Sequence, residues 1–215
     1  MKTFKEFLLS EAPLPPDWDK SKFKNTADFS DRLVYAQQRA QELGSGSSRV
    51  VFLIQYEGRK TALKIARSPF GIQQTEKEIR WFSDPRVRAI HNIVIPMIDY
   101  DRLNKHPAWI HVEYAPRPHE VDFVAKFGAP LKDLHEYCKS KSHPEGRDTF
   151  DFKKYERIYP NLKHNKNTKN LIKFYKIIDY GVLWDFNDRG NWGLYKDGPV
   201  IIDSGLSNSI FQEEL

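Results

Sequence analysis

Short apolar runs separated by turn residues dominate the chain after residue 43. Residues 43–66 are typical of three strands joined by a Gly/Ser turn and by a second turn at Glu57-Gly58. Apolar residues at helical spacing then predict a helix over about residues 70–82, and residues 92–101 and 108–116 carry two more runs of strand length. The pattern predicts a five-stranded antiparallel meander interrupted by one helix.

The remaining patterned segments are mostly helical. Helical periodicity predicts helices over residues 28–42, 121–126, 131–139 and 171–180. Near the end of the chain, Val200, Ile201 and Ile202 predict a buried strand, and Gly198 supplies the positive φ of a tight hairpin turn. The predicted fold class is therefore α+β.

Composition narrows the class of protein. The chain has 215 residues and 40% hydrophobic content, enough for one well-cored domain or two small lobes. No run of eighteen apolar residues is present, so we expect no membrane partner. Cys138 is the single cysteine, which fits a reducing compartment and excludes a cysteine-rich metal site.

Positive charge is concentrated in one segment. Between residues 139 and 176 there are eleven Lys and Arg residues against four acids, while the whole chain carries +5. Aromatic residues including Phe152, Tyr155, Tyr159 and Phe174 interleave with these cations. That pattern indicates nucleic-acid contact with base stacking, and a solvated basic surface is the alternative.

Two oxygen-bearing side chains flank the closing hairpin. Asn191 precedes it and Asp203 follows it, so the two should lie side by side at one end of a two-stranded ribbon. Mg²⁺ is commonly bound by one or two protein oxygens, with phosphates and water completing its shell. We predict a magnesium site at Asn191 and Asp203, and a strand-ending turn is the alternative.

Glycine and charge in the first half of the chain suggest phosphate chemistry. Gly44, Ser45 and Gly46 form a turn whose backbone N–H groups can approach phosphate oxygens. Lys64 has apolar neighbours on both sides, and a lysine there needs an anionic partner, for which Glu78 is well placed. The alternatives are an edge-strand lysine that reaches solvent and an exposed helix acid.

The order of these features resembles the protein-kinase-like fold over roughly residues 40–207. The phrases "GSGSSRVV", "ALKIA…GIQQ…E" and "NWG…GPVIIDSGLS" look most like small kinase-like proteins encoded by bacteriophages, and "HVEYAP" falls where kinases have the adenine-binding hinge. The resemblance implies a five-stranded antiparallel N-lobe and a truncated helical C-lobe. The implied domains are a leader at 1–11, an N-lobe with its extension at 12–116 and a C-lobe with a basic insertion at 117–215.

The resemblance also assigns ATP-binding roles. Gly44, Ser45 and Gly46 match the glycine-rich loop, with Arg49 where many kinases have a third glycine. Lys64 matches the lysine that holds the α and β phosphates, and Glu78 matches its ion-pair partner.

The same comparison implies adenine, metal and catalytic residues. Glu113 and Tyr114 fall in the hinge that contacts adenine, and Asn191 and Asp203 match the two magnesium ligands. Kinases place the catalytic Asp five residues before this Asn, where Phe186 stands here. One inserted residue would give that role to Asp185, and Asp188 is the rival candidate.

The first eleven residues carry a separate resemblance. "MKTFKEFLLSE" is similar to the capsid-targeting leaders of internal head proteins of myovirus-type phages, which the prohead protease cuts after a Leu-x-Glu pattern. Leu9-Ser10-Glu11 followed by Ala12 fits, so cleavage is expected between Glu11 and Ala12. The implied locations are the phage head interior and then the host cytoplasm.

Three functions stay open on the sequence. The first is transfer of phosphate from Mg²⁺-ATP to a host component whose identity is unknown. The second is a catalytically inactive kinase-like protein that binds and inhibits a host defence or nucleic-acid-processing factor. The one-residue insertion before Asn191 and the short segment of ten residues after Gly205, where kinases continue through several helices, favour the second. The matches at Lys64, Glu78, Asn191 and Asp203 oppose it. Nucleotidyl transfer is the third.

Overall fold

The structure, a computed structural model, describes residues 18–19, 23, 28–90, 92–102, 104–144 and 152–203. The chain divides into two compact units. The first unit comprises the residues up to Glu76 together with Met97–Tyr114, and the second comprises Lys77–Pro96 and the residues from Ala115 onward.

The first unit is built on an antiparallel sheet preceded by a helix. Its elements are α1 (Phe29–Gln37), β1 (Gln41–Ser45), β2 (Arg49–Tyr56), β3 (Arg59–Ala66), the start of α2 (Pro69–Ser83), β4 (Met97–Tyr100) and β5 (Trp109–Glu113). The strand order is β1-β2-β3-β5-β4, which confirms five antiparallel strands. The predicted meander is wrong at one point, because after α2 the chain returns to the sheet edge as β4 and only then pairs β5 with β3.

Aromatic and β-branched side chains form the core of this unit. Phe52, Leu63 and Trp109 are almost completely buried on the sheet, and Tyr35 of α1 packs against them. Asp28 caps α1 by accepting hydrogen bonds from the N–H groups of Ser30 and Asp31. The predicted helix over 28–42 ends at residue 37, since the chain from residue 41 pairs with β2 instead.

The second unit is mainly helical. Its further elements are α3 (Pro85–Arg88), α4 (Glu120–Phe127), α5 (Leu131–Ser142), α6 (Phe152–Ile158), α7 (Lys166–Ile177), 3-10 helices at Tyr180–Asn187 and Arg189–Asn191, β6 (Trp192–Tyr195) and β7 (Gly198–Ile201). Large buried side chains from α5, α7, the first 3-10 helix and β6 form its core, among them Tyr137, Phe174, Phe186 and Trp192. Among the described residues, none of the helices is both long and apolar enough to cross a membrane.

Helix α7 departs from its predicted bounds. The prediction was 171–180, but the helix begins at Lys166, because the Asn165 side chain caps it by accepting from two backbone N–H groups. It ends at Ile177, where Ile178 turns extended and Asp179 caps the following 3-10 helix. Helix α6 and that 3-10 helix were not predicted.

Candidate functional site

The closing hairpin brings Asn191 and Asp203 together in the second unit. Strands β6 and β7 pair Trp192 with Ile201, and the turn places Gly198 at a φ of 132°. The carbonyl oxygen of Asn191 accepts the N–H of Ile202 at 2.9 Å and that of Asp203 at 3.4 Å. The two residues therefore lie side by side at one end of the ribbon, as the sequence predicts.

The side chain of Asn191 joins the hairpin to the preceding 3-10 helix. Its Nδ2 donates to the backbone carbonyl oxygen of Asp185 at 2.7 Å. Trp192 Nε1 donates to the carbonyl oxygen of Phe186 at 2.9 Å, so two consecutive residues hold two consecutive carbonyls. Because the Nδ2 of Asn191 is used in this bond, its Oδ1 is the atom left to act as a ligand.

Tight packing keeps the hairpin in this position. A Cβ placed on Gly193 would lie 2.5 Å from the Cβ of Ala115 and 2.7 Å from Cγ2 of Ile202. Both distances are shorter than any ordinary carbon contact. Gly193 of the "NWG" phrase is therefore required for the close approach of the segments beside Asn191 and Asp203.

Asp185 is a half-buried acid close to other acids. Among the residues that the structure describes, its Oδ2 is fully buried and has no hydrogen-bond partner. Burial raises the pKa of Asp185 to about 6, Lys77 opposes the shift, and the charges of Asp203 and Asp188 add to it. Burial likewise lowers the pKa of Lys77, against the pull of Asp179 and Asp185. A pKa of about 6 lies in the range useful for a general base.

The rival acid, Asp188, occupies a different setting. It is exposed, and its Oδ1 accepts the N–H of Gly190 at 2.7 Å, which caps the short 3-10 helix Arg189–Asn191. Asn191 contacts the backbone of both acids, because its Nδ2 donates to the carbonyl oxygen of Asp185 and its backbone N–H donates to the carbonyl oxygen of Asp188 at 3.1 Å. What distinguishes Asp185 is its half-buried carboxylate, whose pKa is raised by burial and by the nearby charge of Asp203.

The candidate phosphate loop lies in the first unit, but the predicted turn is wrong for Gly44 and Ser45, which are the last residues of β1 because they pair with β2; Gly46 lies between the two strands. Gly44 pairs with Val51 beside a bulge, and a Cβ on Gly44 would meet nothing within 4 Å. Gly46 donates its N–H to the carbonyl of Arg49 at 2.9 Å, and Ser45 Oγ accepts from Nη1 of Arg67 at 3.1 Å. The fold does not need a glycine at 44 for its own packing, which leaves backbone there open to a ligand.

Helix α2 holds the far side of this loop, a contact that the sequence analysis missed. The hydroxyl of Ser48 donates to Oε1 of Gln74 at 2.7 Å. A Cβ on Gly71 would lie only 2.1 Å from the carbonyl oxygen of Ser48. The signal in the sequence was a glycine in the first turn of a predicted helix, where it has no local reason to be favoured.

Lys64 and Glu78 are both buried. Lys64 lies on β3, the central strand, in register with Val51 and Ile110, and is 3% exposed. Glu78 of α2 is 1% exposed. The edge-strand lysine and the exposed helix acid are therefore both wrong as alternatives. Burying a charge at either position costs free energy unless the charge is compensated. A charged residue at each position therefore indicates a role that needs the charge.

The structure describes the predicted hinge residues but not the predicted cleavage site or the residues after Asp203. The carboxylate of Glu113, at the end of β5, accepts from Nη1 of Arg59 at 2.7 Å, and Tyr114 follows at the strand end, half-buried. Ser204, Gly205, Glu11 and Ala12 lie outside the described residues.

Among the described residues there is no group of three or more His, Cys, Asp or Glu side chains able to hold a metal ion. Asn191 and Asp203 offer two oxygen ligands, a number that suits Mg²⁺ shared with phosphate and water.

Comparisons with known proteins leave the family open. No protein-family model and no curated protein sequence matches this chain. The α+β class with a five-stranded antiparallel sheet is shown by the structure, and the functional assignment must come from the side chains themselves.

Proposed function

We propose that the protein is a kinase-like phosphotransferase that transfers phosphate from Mg²⁺-ATP to an acceptor in a host cell. The observation that carries the proposal is the bonding of Asn191, whose side chain holds the carbonyl of Asp185 and whose carbonyl holds the N–H of Asp203. The backbones of an acid, an amide and a second acid are thereby tied together where the 3-10 helix meets the hairpin. Phosphotransfer uses such residues in two roles, as metal ligands at the phosphates and as a base for the acceptor hydroxyl.

Within this proposal, Oδ1 of Asn191 and the carboxylate of Asp203 are the magnesium ligands. The metal, when bound, offsets the negative charge of the phosphates. The Asp185 carboxylate would orient the acceptor hydroxyl and take its proton as the γ-phosphoryl group leaves ADP for the acceptor oxygen. Because Oδ2 of Asp185 is fully buried, Oδ1 is the oxygen that would face the acceptor.

The first unit supplies the proposed nucleotide contacts. The backbone N–H groups around Gly44, Ser45 and Gly46 would approach phosphate oxygens, and Lys64 would neutralise the α and β phosphates. The backbone at Glu113 and Tyr114 would contact adenine. Catalysis would then consist of positioning and charge neutralisation, without a covalent enzyme intermediate.

The leader adds a proposed route of delivery. The prohead protease of a phage would cut between Glu11 and Ala12, and the mature chain would travel in the virion to the host cytoplasm. This part of the proposal rests on the leader motif alone.

Isothermal titration of the full chain with ATP, with and without Mg²⁺, tests the proposal. We expect metal-dependent binding, loss of that dependence in Asp203→Asn, and at least tenfold weaker binding in Lys64→Ala, equivalent to about 1.4 kcal/mol. Asp188→Asn is the matched control. It removes an acid from the same segment, and this acid has no proposed role as a ligand. ATP binding that ignores the metal, or equal losses in Asp203→Asn and Asp188→Asn, would contradict the site.

The inactive binding protein and the nucleotidyl transferase have their own outcomes. No ATP binding under either condition would favour a kinase-like scaffold that captures a host factor. If ATP binds, incubation with ATP labelled in turn on the γ phosphate and on the adenine separates phosphate transfer from nucleotidyl transfer.

A second role is contact with nucleic acid through the segment 139–176. The observation that favours it is the exposure of most lysines that the structure describes in this segment, including Lys153, Lys163 and Lys169. The phosphotransferase proposal does not depend on this role.

A further inference from the structure

One face of α7 carries a row of lysines. Lys166, Lys169, Lys173 and Lys176 are all exposed, and their spacing of three, four and three residues aligns them along the helix. We call these four residues the lysine face. At 1.5 Å per residue it extends about 15 Å.

The opposite side of α7 anchors the helix. Thr168, Leu171, Phe174 and Tyr175 are completely buried, and α7 packs on α5 through this side. The Thr168 hydroxyl also donates to the carbonyl of Phe127 at 2.9 Å. The lysine face is therefore held on a fixed element, which reduces the ordering cost of binding a ligand there.

Negative charge is lacking on this helix. Helix α7 contains no Asp or Glu, and within the described part of the chain none of the four lysines makes an ion pair or hydrogen bond. Elsewhere in the same segment, Lys141 is paired with Glu156 at 3.1 Å. The charge of the lysine face is consequently uncompensated by the fold.

The aromatic residues of this segment do not lie on the surface in the way the sequence pattern suggested. Phe174 is completely buried, and Phe152, Tyr155 and Tyr159 are half-buried against the core of the second unit. The hydroxyl of Tyr159 donates to Asp133. The predicted base-stacking role is therefore wrong for Phe174, and the other three rings offer only part of their surface. The exposed groups of this segment are mainly lysines.

We propose that the lysine face binds the phosphate backbone of a nucleic-acid duplex without reading its sequence. One strand of a duplex carries a phosphate about every 3.4 Å along the axis, so 15 Å of lysine face meets roughly four or five phosphates. Four lysines match that density, and a duplex presents phosphates without requiring aromatic stacking. This inference deepens the second role named above and is independent of phosphotransfer.

An anionic lipid surface fits the same charge less well. A helix that binds a membrane surface buries its apolar face between lipids, but the apolar face of α7 is already buried in the protein. Lipid vesicles therefore serve as the competing probe.

The test is fluorescence anisotropy of the full chain with a mixed-sequence DNA duplex of roughly twenty base pairs, about two helical turns. Four contacts predict a slope of log affinity against log salt near −3.6, or about a hundredfold loss between roughly 50 and 200 mM salt. In the double variant Lys169→Gln/Lys173→Gln, we expect the slope to be shallower by about 2. The matched control Lys60→Gln/Lys132→Gln removes two exposed lysines outside α7 and should leave the slope unchanged.

Each other outcome overturns the inference in a recognisable way. Absence of binding to duplex and to single strand alike would remove the whole second role. Tighter binding to a single strand, or equal losses in the two double variants, would keep nucleic-acid contact but exclude the lysine face as its duplex site. Lysine-dependent binding to phosphatidylserine vesicles without duplex binding would replace the duplex by a lipid surface.

Discussion

Replacing Asp185 with asparagine should stabilise the protein at neutral pH while it removes the proposed catalytic base. The pKa of Asp185 rises from the ordinary value of 3.8 to about 6, so the folded protein holds this proton more tightly than the unfolded chain. Between these two pH values the folded state binds more protons, and its stability therefore falls as pH rises through this window. Asparagine cannot ionise, so the variant does not lose stability through this group as the pH rises.

The magnitude follows from the shift. Two pKa units correspond to at most about 3 kcal/mol, and solvent screening of a half-buried carboxyl reduces this to about 1 kcal/mol. Asn191 donates to the backbone carbonyl of Asp185, so the substitution leaves that bond in place. The hairpin should therefore be unchanged in the variant.

Urea unfolding at about pH 8 and about pH 4 measures the effect. We expect Asp185→Asn to exceed the wild type by about 1 kcal/mol at the higher pH and by close to nothing at the lower. Asp188→Asn, which alters the capping oxygen next to Gly190, should give no such gain. A variant that is less stable at pH 8, or a gain of equal size at both pH values, would refute the reasoning about Asp185.

Two further predictions concern the glycine loop and the leader. Gly71→Ala should destabilise the protein by about 1–2 kcal/mol in urea unfolding, because overpacking against the carbonyl of Ser48 outweighs the helix propensity gained. Gly44→Ala, which meets no atoms, should keep full stability but weaken ATP binding in the titration; equal stability losses in both variants would contradict the packing argument. For the leader, mass spectrometry of protein from purified virions should show a chain that starts at Ala12, and an intact amino terminus at Met1 or Lys2 would exclude processing.

The sequence predicts the local elements of this fold better than their neighbours in space. Strands β2 and β3, helix α2 and the closing hairpin follow from alternation, helical spacing and turn glycines, which act over a few residues. The position of β4 at the sheet edge depends on pairing between residues far apart in the chain, which periodicity does not encode. Helix α1 was predicted too long for the same reason, since residues 41–45 take their conformation from β2.

In the candidate site, too, the sequence predicts what depends on short-range structure and misses what depends on tertiary contacts. Asn191 and Asp203 could be placed together because the hairpin between them is a short-range structure. The surroundings of Asp185 could not be predicted, because its burial depends on a 3-10 helix whose apolar residues face a core built from distant helices. The support of the glycine loop by Gly71 and Gln74 likewise arises from a tertiary contact without a sequence pattern of its own.

The two sides of the loop between β1 and β2 differ in their exposure to solvent. All five of its residues are exposed at the sheet edge, whereas Ser48 and Arg49 on the other side of the loop are buried. Amide protons of an exposed edge strand exchange with solvent through local opening, while those of central β3 need far larger unfolding. A nucleotide that bound Gly44 and Gly46 would have to order the exposed strand β1 against the buried side of the loop. Part of its binding free energy would be spent on that ordering. Protection of the β1 amides from exchange would then report occupancy of the loop directly.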